Sequence, residues 1–120
     1  MSQAWVLLTN ADGREISAPT EHQLAIALTE VYGKTLSDIG HQPSTACLSF
    51  GYDDGLMYEL EVSSSGRVKF EEWSDRDCEI ALAMPKTMSI QTQSEAMQLW
   101  TWLAQRQVAK IRSLPWLAMV

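Results

Sequence analysis

A metal site or a nucleophile in this chain would have to be built from two histidines and two cysteines, His22, His41, Cys47 and Cys78, or from its carboxylates. Structural zinc sites draw on closely spaced pairs of Cys and His, and no two of these four residues have that spacing. A reactive thiolate needs cationic neighbours to lower its pKa. Cys78 has only Arg76 close by in sequence. Cys47 alternates with Leu48 and Phe50, which places it off the favoured core face or at a strand edge, so both cysteines read as structural. No G-x-S-x-G elbow offers a serine to either histidine, and the glycines form no phosphate-binding loop. Tyr52-Asp53-Asp54-Gly55 has acids and a glycine, but it lacks the calcium-loop frame and its distant glutamate, so turn chemistry explains it better. Glu71 and Glu72 could suggest a glycosidase pair, yet adjacent residues of a strand point to opposite faces. The expectation is therefore no catalytic residue, no metal and no cofactor, and binding is the simpler role.

What remains is the layout of charge. Residues 1–44 carry 5 acidic and 2 basic side chains, residues 45–84 carry 9 and 3, and residues 85–120 carry 1 and 4. The centre of the chain is thus strongly acidic and its end mildly basic. An acidic surface can simply keep a protein soluble. It also suits an electropositive protein partner and speeds encounter with it.

The elements that position these acids follow from turn chemistry and period. Three short loops, Ala11-Asp12-Gly13, Asp53-Asp54-Gly55 and Ser64-Ser65-Gly66, each end in glycine, which takes the left-handed conformation that closes a three-residue hairpin loop. With these loops, Leu8 faces Ile16, Phe50 faces Tyr58, Leu48 faces Leu60, Leu60 faces Phe70 and Val62 faces Val68. Glu61 then faces Lys69 on the other side of the sheet, and a one-residue slip would pair apolar with charged side chains. Strands are expected near 4–9, 14–17, 45–52, 56–63 and 67–73, with a further short one near 79–84. Glu59, Glu61, Lys69, Glu71 and Trp73 then share the face opposite Tyr58, Leu60 and Phe70. Glu59 lies directly across from Glu71, an arrangement that costs stability.

Thr20 with Gln23 and Thr92 with Glu95 fit capping boxes, predicting helices over about 20–32 and 93–112, the second stopping before Pro115. Residues 34–44 read as a loop. On the second helix Ala96, Leu99, Trp100, Leu103 and Ile111 share one arc, while Trp102 falls in the polar arc. There Trp102 either lies under the tail Leu114-Pro115-Trp116-Leu117 or serves as a partner anchor. Hairpins segregated from helices imply an α+β fold, with an antiparallel sheet covered on one face by two helices in a single domain.

Composition sets the outer bounds. The chain has 120 residues, 46% hydrophobic and 20% charged, the profile of one globular domain. Its net charge of −6 makes a nucleic-acid or anionic-membrane binder improbable. No run approaches a membrane span, and the N-terminus has neither a basic n-region nor a long enough apolar stretch for a signal peptide, so a cytoplasmic location is expected.

Three runs, Gly55–Val62, Gly66–Trp73 and Leu99–Ala104, with Ile111-Arg112-Ser113-Leu114-Pro115-Trp116, together resemble small immunity proteins of bacterial polymorphic toxin systems, of the TriTu type. Such proteins are encoded beside Rhs-type effectors whose C-terminal domain ADP-ribosylates the elongation factor EF-Tu. The resemblance covers roughly residues 50–116 and rests on the spacing of aromatics and turns. It implies a monomer that forms a 1:1 complex with a cognate toxin domain, blocks its active site and needs no cofactor. On that reading Glu59, Glu61, Glu71, Trp73, Asp75 and Asp77 contact the toxin, with Asp53 and Asp54 at the rim and Trp102 as a possible further anchor. The competing expectations are a small acidic adaptor or chaperone for a secretion-system effector, a small enzyme with an unrecognised site, and self-association through Leu117-Ala118-Met119-Val120.

Overall fold

The computed structural model describes residues 4–11, 13–33, 45–52, 55–74 and 85–118. Three glycines set the strand pairing. Gly13, Gly55 and Gly66 have φ of +89°, +118° and +89°. Each donates its N–H to the carbonyl three residues back, on Asn10, Tyr52 and Ser63, at 2.9, 3.0 and 2.9 Å. These are the three-residue hairpin closures expected from the sequence. They join β1 (Ala4–Thr9) to β2 (Glu15–Ser17), β3 (Thr45–Tyr52) to β4 (Met57–Ser63), and β4 to β5 (Arg67–Trp73). Every pairing inferred from the turns is present, from Leu8 with Ile16 to Glu61 with Lys69 and Glu59 with Glu71.

The sheet is antiparallel throughout, in the order β2-β1-β3-β4-β5-β6-β7. Its last two strands are β6 (Lys86–Ser89) and β7 (Leu117–Ala118). The sequence reading did not include β6. Lys86-Thr87-Met88-Ser89 holds one apolar residue and no alternating pattern, and its place comes from pairing with β5. The strand expected near 79–84 and the loop expected over 34–44 lie outside the described residues.

Three helices lie among the described residues: α1 (Glu21–Gly33), α2 (Gln93–Ala104) and α3 (Val108–Arg112). Both capping motifs form. Thr20 and Gln23 exchange hydrogen bonds, the Thr20 N–H reaching Gln23 Oε1 at 2.9 Å and the Gln23 N–H reaching Thr20 Oγ1 at 3.2 Å. At α2 the Glu95 N–H reaches Thr92 Oγ1 at 3.2 Å, while the Glu95 carboxylate accepts from Gln91 N–H, one residue earlier than the usual box. The helices bury Leu24, Leu28, Val31, Trp100, Leu103 and Ile111 against Leu8, Leu48, Phe50, Leu60, Val62, Val68 and Phe70. Trp100 is fully buried, and its Nε1 donates to the Leu60 carbonyl at 3.1 Å, which satisfies the one polar atom this large side chain brings inside. The architecture is α+β, as the segregation of hairpins and helices implied.

The second helix is corrected. It does not run unbroken over 93–112 but ends at Ala104, and α3 begins at Val108. Arg106 adopts φ +65°. Its N–H donates to Leu103 O at 3.0 Å, and the Gln107 N–H to Trp102 O at 2.8 Å. This is a Schellman termination with arginine where glycine is usual. The break escapes sequence inspection because neither glycine nor proline marks it.

The break aims α3 back over the sheet. Arg112 reaches the buried carboxylate of Glu72 through Nε at 3.0 Å and through a terminal nitrogen, and its guanidinium lies 5.7 Å from the Tyr58 ring centroid. The hydrogen bond to Glu72, against some desolvation, raises the Arg112 pKa. Trp116 follows, stacking on Phe70 at 5.5 Å and donating Nε1 to the Ile111 carbonyl at 2.7 Å.

A left-handed backbone costs a non-glycine residue roughly 1 kcal/mol, partly offset because glycine gains more freedom on unfolding. Arg106→Gly is therefore expected to stabilise the fold by about 0.5 kcal/mol. Urea denaturation checks this: the midpoint should rise with the m-value unchanged.

Candidate functional site

Because side chains alternate along a strand, the register that sends Leu8, Leu48, Leu60 and Phe70 under the helices sends their neighbours to the opposite face. The pairings place those neighbours in cross-strand rows. One row is Trp5, Gly51, Met57 and Trp73, each the partner of the next. The next is Ser17, Leu7, Ser49, Glu59 and Glu71. A third is Glu15, Thr9, Cys47, Glu61, Lys69 and Thr87. The buried helix residues all belong to the core cluster on the other side of the sheet, so this face is open among the described residues.

The first row is built around a missing side chain. A Cβ on Gly51 would stand 2.4 Å from Trp5 Cζ2 and 2.7 Å from the Leu56 carbonyl. The Trp5 indole therefore occupies the space over Gly51, in a notch that only glycine leaves free. Met57, next in the row, is 4% exposed although no described helix lies over it. Trp73 closes the row, half-buried, and its Nε1 is buried without a hydrogen-bond partner among the described residues.

The next two rows carry the charge. Glu59 is half-buried, and burial raises its pKa, with Glu71 and Glu61 adding to the rise and Lys69 opposing it. Lys69 Nζ lies 3.2 Å from Glu71 Oε1. Burial pulls the Lys69 pKa down, but Glu61 and the contact with Glu71 outweigh this and the net shift is upward. Cys47 lies between the acids. Burial first, then Glu59, Glu61 and Glu71, push its thiol up to about 12, against a contact with Ser49. A thiol in that state is neither a nucleophile nor a ready metal ligand at neutral pH. The refinement to the sequence reading is that Cys47 lies on the open face of an interior strand and not at a sheet edge. A depression of about 380 Å³ runs over this ground, lined by Trp5, Leu7, Cys47, Ser49, Glu59 and Glu61 among others. Among the described residues no group of three or more His, Cys, Asp or Glu could hold a metal ion, and no helix is long and apolar enough to cross a membrane.

Of the residues picked from sequence, Glu59, Glu61, Glu71 and Trp73 come together here. Asp53, Asp54, Asp75 and Asp77 lie outside the described residues. Trp102 is on the opposite side of the sheet, on α2, half-buried against the core with Lys110 Nζ 5.8 Å from its ring centroid. With Met88, Ile90, Leu99 and Leu114 it lines a separate cavity of about 290 Å³. Leu114, the first residue of the tail segment, is thus beside Trp102, as one of the two sequence readings has it. Sequence reasoning missed Trp5, Leu7, Gly51 and Met57. Alternation from Leu8 already turns Trp5 and Leu7 outward, but only the pairing of β1 with β3 shows that Trp5 stands over Gly51.

Two outcomes follow from this geometry. Glu59→Gln removes a carboxylate whose raised pKa means its charged form is disfavoured by folding. Wild type has the Glu59 contribution intact below the ordinary value of 4.5 and loses it as pH rises through the higher folded-state value. Glu59→Gln is therefore expected to be more stable than wild type at pH 7, by about 0.5 kcal/mol, with the difference vanishing near pH 4, as followed by urea midpoints across pH. Gly51→Ala is expected to cost about 1–3 kcal/mol and to shift the Trp5 indole resonance, because the added methyl meets a ring and a backbone carbonyl.

Comparison with protein-family models, with curated proteins and with solved structures finds no match to this chain.

Proposed function

We propose that this chain is an immunity-type binding protein that neutralises a cognate antibacterial toxin domain, an ADP-ribosyltransferase, by laying the open face of its sheet over the toxin's active-site cleft. The reading needs no catalytic residue and no cofactor, and it places the protein in the cytoplasm as one half of a 1:1 complex.

The observation that carries it is the join between the Trp5–Met57–Trp73 row and the Glu59–Glu71 pair on a sheet face that no described helix covers. Aromatic residues and methionine are what a protein interface collects at its centre, with charged residues toward the rim. Two carboxylates facing each other across adjacent strands cost the free protein stability, and a cationic partner would relieve that cost. A toxin domain that holds a dinucleotide presents the basic cleft such a surface fits. On this reading, truncating a glutamate buried in the complex would lose about 2–5 kcal/mol, while acids at the rim would mainly change the association rate.

The test is co-expression with the toxin encoded by the adjacent reading frame, scored for cell survival. Wild type is expected to rescue growth. A Glu59→Lys, Glu71→Lys double variant that remains folded by circular dichroism is expected to lose both rescue and capture of the toxin domain. Rescue at wild-type level by that variant would overturn the docking face. Absence of rescue by wild type, together with capture of an effector's transport region, would move the role to an adaptor or chaperone.

A further inference from the structure

We propose that an extended strand of the partner pairs antiparallel with the outer edge of β1 at Ala4–Val6, in line with β2, and so lengthens this sheet. The inference rests on the docking reading above and names a contact by which the partner is held.

β1 is longer than the strand that covers its outer edge. It has six residues and β2 has three, and β2 pairs only with Leu7, Leu8 and Thr9. The N–H and C=O of one strand residue point to the same side, and successive residues alternate. On the β2 side the Asn10 N–H donates to Arg14 O and the Ala18 N–H donates to Val6 O, both at 2.9 Å. Leu8, Val6 and Ala4 therefore turn their backbone groups toward β2, while Trp5, Leu7 and Thr9 turn theirs toward β3. Ala18 has φ +50°, and this left-handed residue ends β2 and leads the chain off toward α1. Beyond the Ala18 bond, the Val6 N–H and both backbone groups of Ala4 face the side that the chain has left, and no described residue bonds them there. A depression of about 370 Å³ lies along this edge, lined by Ala4, Trp5, Val6, Leu7, Ser17 and Ala18.

These groups select the occupant. Backbone donors and an acceptor set along a straight edge are answered by another strand, whereas a helix has already used its own N–H and C=O groups internally. The walls are apolar on both sides: Ala4 and Val6 pack against the core cluster, and Trp5 and Leu7 belong to the open face. The added strand therefore carries uncharged side chains, β-branched ones fitting best. A second copy of this chain is a poor occupant, because its β1 brings its own β2 along the same line and leaves three residues of each to pair. Trp5 and Leu7 also line the depression that holds Glu59 and Glu61, so the added strand and the docking face form one continuous surface.

Amide hydrogen exchange in the full chain, alone and with the toxin domain encoded by the adjacent reading frame, tests this. Alone, the Val6 N–H is expected to exchange at least about ten-fold faster than those of Trp5 and Leu7, which point to β3. In the complex the Val6 N–H should slow by about ten-fold or more, with Leu7 little changed. Ala4→Pro removes an N–H that only the added strand uses, at the first position of a strand, where proline is tolerated. It is expected to keep the wild-type urea midpoint and to weaken capture of the toxin domain about five- to ten-fold. If Ala4→Pro lowers the urea midpoint, exchange at Val6 decides alone. A Val6 N–H as protected as that of Leu7 in the free chain would overturn the proposal, since the edge is then already filled. A complex in which Val6 exchange is unchanged would also overturn it, and the docking face would stand without an added strand. If wild type captures no toxin domain, the docking reading falls and the added strand with it.

Discussion

Register is the constraint on which the rest of this molecule depends. Each glycine-closed turn fixes how two strands slide past each other, and in a sheet a slip of one residue exchanges every inward side chain for an outward one. The three turns at Gly13, Gly55 and Gly66 are therefore what separates a core of Leu8, Leu48, Leu60 and Phe70 from a face of Leu7, Ser49, Glu59 and Glu71. Packing of Trp100 and Leu28 follows from that partition, because the helices have only one apolar surface to settle on.

The same partition explains how a small domain carries so many acids. Adjacent residues Glu71 and Glu72 meet different fates. Glu72 points under the helices and is met by Arg112, which α3 delivers only because α2 terminates at Arg106. Glu71 points outward and shares its row with Glu59, with Lys69 alongside. A buried carboxylate without a partner costs several kcal/mol, so the inward one is answered within the chain. On the outward side Lys69 pairs with Glu71, and burial, with Glu71 adding to it, lifts the Glu59 pKa.

Local signals were legible where the physics is local. The hairpin registers came from turn residues and alternation, and the helix starts came from Thr20 and Thr92, whose side chains bond the backbone three residues on. The acidic half of the open face was read in the same way, since Glu59, Glu61 and Glu71 lie on strands joined by a single tight turn. What was not legible depends on distant pairing. Trp5 reaches Gly51 across 46 residues of sequence, and a lone glycine in a strand does not say what fills its empty side. The end of α2 was hidden because Arg106 takes a conformation that its type disfavours, and strand β6 because its apolar content is too low to announce it.

Strand β5 has a consequence for how such a surface can change over time. Its inward residues Val68, Phe70 and Glu72 are tied to the core, to Trp116 and to Arg112. Its outward residues Lys69, Glu71 and Trp73 alternate with these and point to the opposite face. Substitutions on the outer side thus leave the supporting framework intact. On the proposed docking role, a lineage could rewrite the charges there to follow a rival that alters its own surface, with foldability and recognition under nearly independent selection.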